Sequence, residues 1–318
     1  MRAPSVGPRR SSMTRVLGHI HTHNESAVID RTLAALRGQS HPVDGVLLVD
    51  NASTDGTLDR EFPSDVRVVR FDENRMTSDP IIEAMRHADD EGYDWVWVLN
   101  GDTAPRADAL EKLLAFYEGL DPATRESTWL LAALPVDMAT GRADHGFLVT
   151  SRGLRRLDGD VPYECDATIW SGSLYRVSAI RTVGMPRSDY AMDIAEIEYG
   201  YRGRRHGFRA FMHPGAIAEH NVGGASLTVE TRSIGRLRLQ LIELKPFRCY
   251  YVIRNHLHFW LFVFAEKTPI TYLYCFGKAA KLTANFAIRP WSRRRQLGAC
   301  LRGFADGVRQ RLDYRYPV

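Results

Sequence analysis

Four short apolar runs, two of them ending in polar residues, constrain this chain more than any other feature. They are VLGHI (Val16–Ile20), VLLVD (Val46–Asp50), VRVVRF (Val66–Phe71) and WVWVLN (Trp95–Asn100). Helical spacing of apolar residues fills much of the sequence around them. Val28, Ile29, Leu33 and Leu36 share a face over about Glu25–Arg37, and Ile81, Ile82 and Met85 do so over about Pro80–Asp89. A further helix is expected over about Asp108–Tyr117. Strands that read as unbroken apolar runs are buried on both faces, and strands alternating with helices build a parallel sheet covered on both sides. The expected fold class is therefore α/β, Rossmann-like, with a mostly parallel central sheet. Ligands of such sheets gather beyond the carboxyl ends of the strands, so the polar residues there are the first candidates for function.

The remaining sequence is less regular. From roughly Thr128 to Val222 it reads as short strands, a helix over Asp193–His206, and a last strand pair around Phe208–His213 and Ala216–His220. From about Thr231 it reads as helices rich in aromatic residues and arginine. The division expected is a polar leader over 1–13, with Met13 a second candidate start, a catalytic domain over 14–228, and a helical, basic and aromatic extension over 229–318. The leader lacks the apolar stretch of a signal peptide. No segment supplies the about 20 uncharged apolar residues of a membrane span; His258–Phe276 comes nearest and is broken by Glu266, Lys267 and Pro269. A net charge of +4 over 318 residues gives no case for nucleic acid as a partner. Cys165, Cys249, Cys275 and Cys300 form no CxxC pair and no zinc spacing, and read as buried free thiols of a reducing compartment.

The strand ends carry the chemistry. The first leads into Thr22-His23-Asn24-Glu25 and the second into Asp50-Asn51-Ala52-Ser53-Thr54-Asp55-Gly56-Thr57. A carboxylate there either hydrogen-bonds a base or ribose, or caps the turn that follows. The fourth strand runs into Asn100-Gly101-Asp102-Thr103, where an acid either holds a divalent cation, as Mg²⁺ and Mn²⁺ prefer oxygen ligands, or makes a simple Gly-Asp turn. The spacing of Asp193 and Glu196 is that of a capping box at a helix start. Glu198 points away from that pair and sits four residues before Arg202, as an ion pair would require.

Taken in order, VLLVDNASTDGT, WVWVLNGDTAP, WSGSLYR, DIAEIEYGYRGRRHGFR and AEH resemble family 2 glycosyltransferases of the GT-A fold, bacterial rhamnosyltransferases and galactofuranosyltransferases in particular. The resemblance runs over roughly Val16–Gly224. It implies nucleotide-sugar binding by Thr22, Asn24 and Asp50, with Asn51, Ser53 and Asp55 in the same signature. It implies a divalent metal, Mg²⁺ or Mn²⁺, on Asp102 and His220. Asn100 replaces the first acid of the family's Asp-x-Asp motif and is left to bind ribose or a metal-bound water. It implies a catalytic base at Glu196, where relatives have aspartate, with Ala195 in place of a neighbouring acid. Trp170, Ser171, Gly172 and Asp193 fall beside the acceptor and donor sugar. Trp170 either stacks on a sugar ring or is a core residue. Asn74 is kept from a stretch near the donor whose glycines this chain lacks. Arg254, in YYVIRN, either contacts diphosphate or a lipid-linked acceptor, or holds the helix against the domain.

The activity implied is inverting transfer from a UDP- or dTDP-sugar to a glycan or lipid-linked acceptor of a bacterial surface polysaccharide, at the cytoplasmic face of the membrane. From Lys278 to Arg315 ten basic residues stand against two acids. With the aromatics before them they suit either an interfacial helix pair on anionic lipid or a homodimer interface. Nucleotidyl transfer would show a Gly- and Lys/Arg-rich phosphate loop where this chain has Thr22–Glu25, and no GxSxG or HExxH supports a hydrolase. A nucleotide-sugar-binding homologue that has lost activity is the remaining alternative, because Asn100 and Ala195 stand where acids are expected.

Overall fold

The computed structural model describes residues 14–220, 229–234, 237–287, 294–313 and 316. The leader, Met13, Arg293 and the boundary at 228 lie outside them. The first half is strand β1 (Val16–Thr22), helix α1 (Ile29–Arg37), β2 (Gly45–Asp50), β3 (Val66–Arg70), α2 (Ser78–Asp90), β4 (Trp95–Asn100), the short β5 (Ala104–Pro105) and α3 (Ala109–Gly119). Then come α4 (Pro122–Ser127), β6 (Thr128–Asp137), a small hairpin of β7 (Phe147–Thr150) and β8 (Gly153–Arg156), β9 (Tyr163–Cys165), β10 (Ser173–Arg176), α5 (Val177–Val183), α6 (Ala195–Arg205) and β11 (Arg209–His220). A hairpin of β12 (Val229–Ile234) and β13 (Leu237–Ile242) leads to α7 (Pro246–His258), α8 (Pro269–Ala287) and α9 (Arg294–Val308).

The central sheet has the order β3-β2-β1-β4-β10-β6-β11-β5, with β9 also on β11. Strands β3, β2, β1 and β4 are mutually parallel, β10 is antiparallel to its neighbours β4 and β6, and β6 and β11 are parallel. Side chains alternate across each strand, so every buried strand feeds two cores. Leu47, Val49, Val96 and Val98 face α2, α5 and α6. Val46, Leu48, Trp95, Trp97 and Leu99 face α1 and α3. The first core continues without a break into Cys249, Tyr250, Leu257 and Trp260 of the carboxyl-terminal helices. Helix α9 lies against α7 at glycines: a Cβ on Gly303 would stand 2.5 Å from Tyr250 O, and one on Gly307 2.7 Å from Arg254 O. All four cysteines are free and buried, as their spacing suggested.

Two expectations change. Phe208–His213 and Ala216–His220 form one strand: β11 crosses Pro214-Gly215 through a register shift between His213 and Ile217 and keeps its pairing with β6. The stretch from Thr231 opens with a hairpin instead of a helix. Its signal is the period-two alternation of Leu237, Leu239 and Leu241 with Arg238 and Gln240.

Candidate functional site

Because β1, β2 and β4 are parallel, Thr22, Asp50 and Asn100 end on one edge of the sheet, with Thr22 opposite Asp50 and His21 opposite Asn100. The antiparallel β10 starts at the same edge and brings the Trp170-Ser171-Gly172 turn there. His220 ends β11 on that edge too.

At the β1–β2 end, most of the nucleotide-signature side chains are spent on one another. Asn24, at φ 57°, donates its N–H to Ser53 Oγ at 2.9 Å and accepts from Thr54 N at 2.8 Å. Asn51 donates to Asn74 Oδ1 at 3.0 Å and Met76 O at 2.7 Å, and accepts from Arg75 N at 2.7 Å. Asp55 accepts from Ser26 N and from both Thr57 N and Oγ1. Burial pushes the Asp55 carboxyl up, but the hydrogen bonds from Thr57 and Ser26 outweigh it and bring its pKa to about 2. These five residues shape the wall. Asp50 differs. It is fully buried, its Oδ2 accepts from Ser53 N at 3.1 Å, and its Oδ1 has no partner. A buried acceptor left unpaired costs roughly 1–3 kcal/mol, which a ligand N–H or O–H at this spot would recover.

At the β4 end a second network forms. Thr103 Oγ1 lies 2.7 Å from both Ser171 Oγ and His220 Nδ1, and His220 Nδ1 is 3.3 Å from Asp102 Oδ1. Burial disfavours the charged imidazole of His220, yet the Asp102 carboxylate overrides it and raises the pKa. Asn100 Oδ1 is buried with no partner. Two further residues belong here that the sequence reading gave no role. Glu25 accepts from Thr22 Oγ1 at 2.8 Å, and burial together with the Asp102 charge lifts its pKa to about 7. His21 is buried beside the same acid, and burial brings its pKa down to about 4. Gly101 lets this pair approach: a Cβ there would fall 1.8 Å from Glu25 Oε2 and 2.9 Å from Thr22 Oγ1, so a side chain would displace Glu25. His21 was legible as a polar residue inside an apolar strand, and Glu25 only through its place in the strand-end turn.

These residues suit a divalent cation. Asp102 offers a carboxylate, His220 an imidazole and Asn100 an orphaned amide oxygen, a donor set Mn²⁺ and Mg²⁺ accept. Among the described residues no three His, Cys, Asp or Glu side chains converge on one point, so the fit is to an ion that completes its shell from a diphosphate.

The third part of the site is the start of α6. The expected capping box does not form. Ile194 occupies the N-cap at φ 66° with no side-chain cap bond, and Asp193, at φ 49°, turns to accept from Arg248 Nη2 of α7 at 3.2 Å. Glu196 is partly buried, and among the described residues no side chain bonds its carboxylate. Burial, then the Asp193 charge, raise its pKa to about 7, with Arg248 opposing. Glu198 is paired with Arg202 through two 3.0 Å bonds, as its spacing indicated.

Two candidates resolve to core positions. Trp170 is 5% exposed and packs against Tyr175 and Tyr199, with ring centroids 5.8 and 5.7 Å away, which leaves no open face for a sugar. Arg254 is fully buried over the rings of Tyr250 and Tyr251. It donates to Asn255 Oδ1, Leu312 O and Asp189 O, which makes it a clamp and not a diphosphate ligand. Ser171 and Gly172 stand at the strand edge: Gly172 O accepts from Trp97 Nε1 at 3.2 Å, and Ser171 completes the Thr103 network.

The family description "Glycosyl transferase family 2" matches residues 19–124, about a third of the chain. No curated protein matches it by sequence. Among solved structures it is similar to GalNAc-T7 bound to UDP, GalNAc and Mn²⁺, with a TM-score of 0.52, 13% identity and 65% of this chain covered; it spans only 43% of that protein. It is similar to TarS 1–349 of S. aureus in complex with UDP-GlcNAc, with a TM-score of 0.58, 15% identity, and 94% of this chain and 83% of that one covered. It is also similar to the mannosyltransferase PcManGT from Pyrobaculum calidifontis in complex with GDP-Man and Mn²⁺, with a TM-score of 0.52, 14% identity, and coverage of 97% and 79%. At these identities the structural likeness speaks for the fold, and the family match speaks for residues 19–124, the stretch that holds every strand end of the nucleotide side. Residues 19–124 thus match glycosyl transferase family 2, and the chain as a whole has a GT-A-like α/β fold.

Proposed function

We propose that the chain transfers a sugar from a UDP- or dTDP-linked donor, rhamnose or galactofuranose, to a hydroxyl of a glycan or lipid-linked acceptor, with inversion, in the assembly of a bacterial surface polysaccharide at the cytoplasmic face of the membrane. One observation carries the reading. Along a strand edge where Asn24, Asn51, Ser53 and Asp55 are bonded to one another and to the turn, the carbonyl-type oxygens Asp50 Oδ1 and Asn100 Oδ1 are buried and unpaired, as is His21 Nδ1. The spacing of the two oxygens along the edge, one on β2 and one on β4, suits the base at one end of a nucleotide sugar and the ribose or diphosphate at the other. Asp50 accepts the imide N–H of the pyrimidine. Asn24, Asn51, Ser53, Asp55 and Asn74 fix the turn around it, and Thr22 holds Glu25 clear of the diphosphate. A divalent ion on Asp102 and His220 would neutralise charge on the departing nucleoside diphosphate. Glu196 takes the proton from the acceptor hydroxyl while its oxygen bonds to the anomeric carbon, and the electron pair of the old glycosidic bond leaves with the diphosphate.

The test is nucleotide release from a panel of UDP- and dTDP-sugars with Mn²⁺, Mg²⁺ or neither. Asp50→Asn is expected to raise donor KM about 10- to 100-fold with kcat nearly unchanged, because it removes binding present before and during the reaction. Asp102→Asn is expected to cost at least about 100-fold in kcat/KM and to abolish stimulation by Mn²⁺. A chain that binds nucleotide but turns over no donor would instead match the impaired homologue that Asn100 and Ala195 leave open.

A further inference from the structure

Helix α8 is apolar on both sides. Thr271, Cys275, Ala279 and Phe286 are buried against the body of the protein. The opposite face shows Ile270, Leu273, Gly277, Ala280 and Ala284 to solvent, with Leu273 73% exposed. A surface helix of a soluble protein ordinarily turns polar residues outward. Helix α9 repeats the pattern: Leu301, Phe304 and Val308, at i, i+3 and i+7, are 57%, 39% and 38% exposed. The rings of Phe276 and Phe304 lie 6.1 Å apart and join the two faces into one patch. Exposed apolar surface that continues over two helices marks an interaction site. Among the described residues no helix is long and apolar enough to cross a membrane.

The charges around it narrow the partner. Lys281, Arg294, Arg295, Arg302, Arg309 and Arg311 are all exposed on or beside these helices. The acids of the same stretch among the described residues are Asp306, which is buried, and Asp313. Two copies meeting about a two-fold axis would bring the same basic rims together, an arrangement that like-charge repulsion opposes. An apolar centre inside a basic rim is complementary to acyl chains under anionic headgroups.

We propose that the outward faces of α8 and α9 dock the protein on the surface of an anionic lipid bilayer. On the transferase reading a lipid-linked acceptor would be met at this surface; docking itself does not rest on that reading.

The experiment is flotation of the full chain with vesicles of phosphatidylcholine, alone or mixed with phosphatidylglycerol, beside nucleotide release from donor in vesicle-free solution. The chain is expected to float with the mixed vesicles, to stay behind with the neutral ones, and to be weakened by salt, whose screening length falls to about 3 Å at 1 M. Leu273→Asp with Leu301→Asp is expected to lower vesicle affinity at least about tenfold. Lys281→Glu with Arg309→Glu is expected to lower it by at least about fivefold per residue. Neither pair alters nucleotide release in solution. Failure of the wild type to float with anionic vesicles overturns the proposal, and so does equal binding to neutral ones. A concentration-dependent dimer that Leu273→Asp dissolves, without vesicle binding, overturns it in favour of a second copy. Flotation without any nucleotide release leaves docking standing and removes the transferase reading.

Discussion

Glu196→Gln is expected to reduce kcat about 10²- to 10⁴-fold while leaving donor KM within about twofold, because the amide cannot take the acceptor proton but fills the same space. The wild-type rate should follow the deprotonated carboxylate. With the pKa lifted to about 7 by burial and by the Asp193 charge, kcat/KM rises with pH through about 7 and levels off above it. A second effect runs the other way. The folded carboxyl, at about 7, binds protons more tightly than the unfolded one near 4.5. Between those values the native state holds more protons, so stability is fully present below about 4.5 and is lost as pH rises to about 7. Glutamine has no charge to bury. Glu196→Gln should therefore melt higher than wild type above pH ~7, by up to about 3 kcal/mol of stability, and match it in acid. The difference between the two melting curves isolates this residue from Glu25, whose raised pKa gives the same slope in both proteins. A variant both inactive and more stable is the mark of a site that keeps a strained charge for function. If Glu196→Gln retained near-normal turnover with donor binding intact, the base would have to be another residue.

The fold was legible wherever burial imposes composition. Strands β1, β2 and β4 are covered on both faces, and their apolar runs show it directly, whereas β3 at the sheet edge leaves Arg67 and Arg70 exposed. The family resemblance reached the strand ends for a related reason: short polar turns after buried strands carry their signature in consecutive residues. What escaped was set by contacts distant in sequence. Pro214-Gly215 reads as the end of a strand, and only pairing with β6 carries β11 through it. The Asp193–Glu196 spacing reads as a capping box, and positive φ at Asp193 and Ile194 cannot be read from residues that rarely adopt it. Trp170 is an open choice between stacking and packing, which its burial beside Tyr175 and Tyr199 decides. Arg254 is open in sequence between contacting diphosphate and holding its helix, because an arginine in an aromatic segment gives no hint of the carbonyls it will meet. Among the signature residues, hydrogen bonding separates Asp50, whose Oδ1 is unpaired, from Asn24, Asn51 and Asp55, whose oxygens are bonded.

Asn255→Ala is the other change from which a large effect is expected, although Asn255 lies far in sequence from every strand end. Ala191, Asp193 and Ile194 hold φ of 51°, 49° and 66°, a conformation that costs non-glycine residues roughly 1–3 kcal/mol each. Something must hold it. Asn255 Nδ2 donates to Tyr190 O and Met192 O at 2.6 Å and to Asp193 O at 3.0 Å, while its Oδ1 accepts from Arg254. From the other side Ala191 O accepts from Thr77 N at 2.9 Å and Ser78 N at 3.1 Å. Removing the amide takes a donor from the Met192 and Asp193 carbonyls and an acceptor from a buried guanidinium, a loss of about 3–5 kcal/mol and a fall in Tm of the order of 10 °C. The kinetic consequence distinguishes positioning from general weakening. Glu196 sits directly after the clamped segment, and misplacing a reacting group by about 1 Å costs about 100-fold. Donor contacts on β1, β2 and β4 do not pass through Asn255. So kcat should fall about 100-fold at a temperature where the variant is folded, with donor KM nearly unchanged and the pH profile displaced from about 7 as the surroundings of Glu196 loosen. Leu113→Ala is the control: Leu113 is fully buried in the core on the other face of the sheet, and truncating it costs a similar 2–5 kcal/mol or so. It should lower Tm without touching kcat. If both variants lose activity in proportion to their loss of stability, Asn255 serves the fold alone; if only Asn255→Ala does, the strained segment is what aims the base.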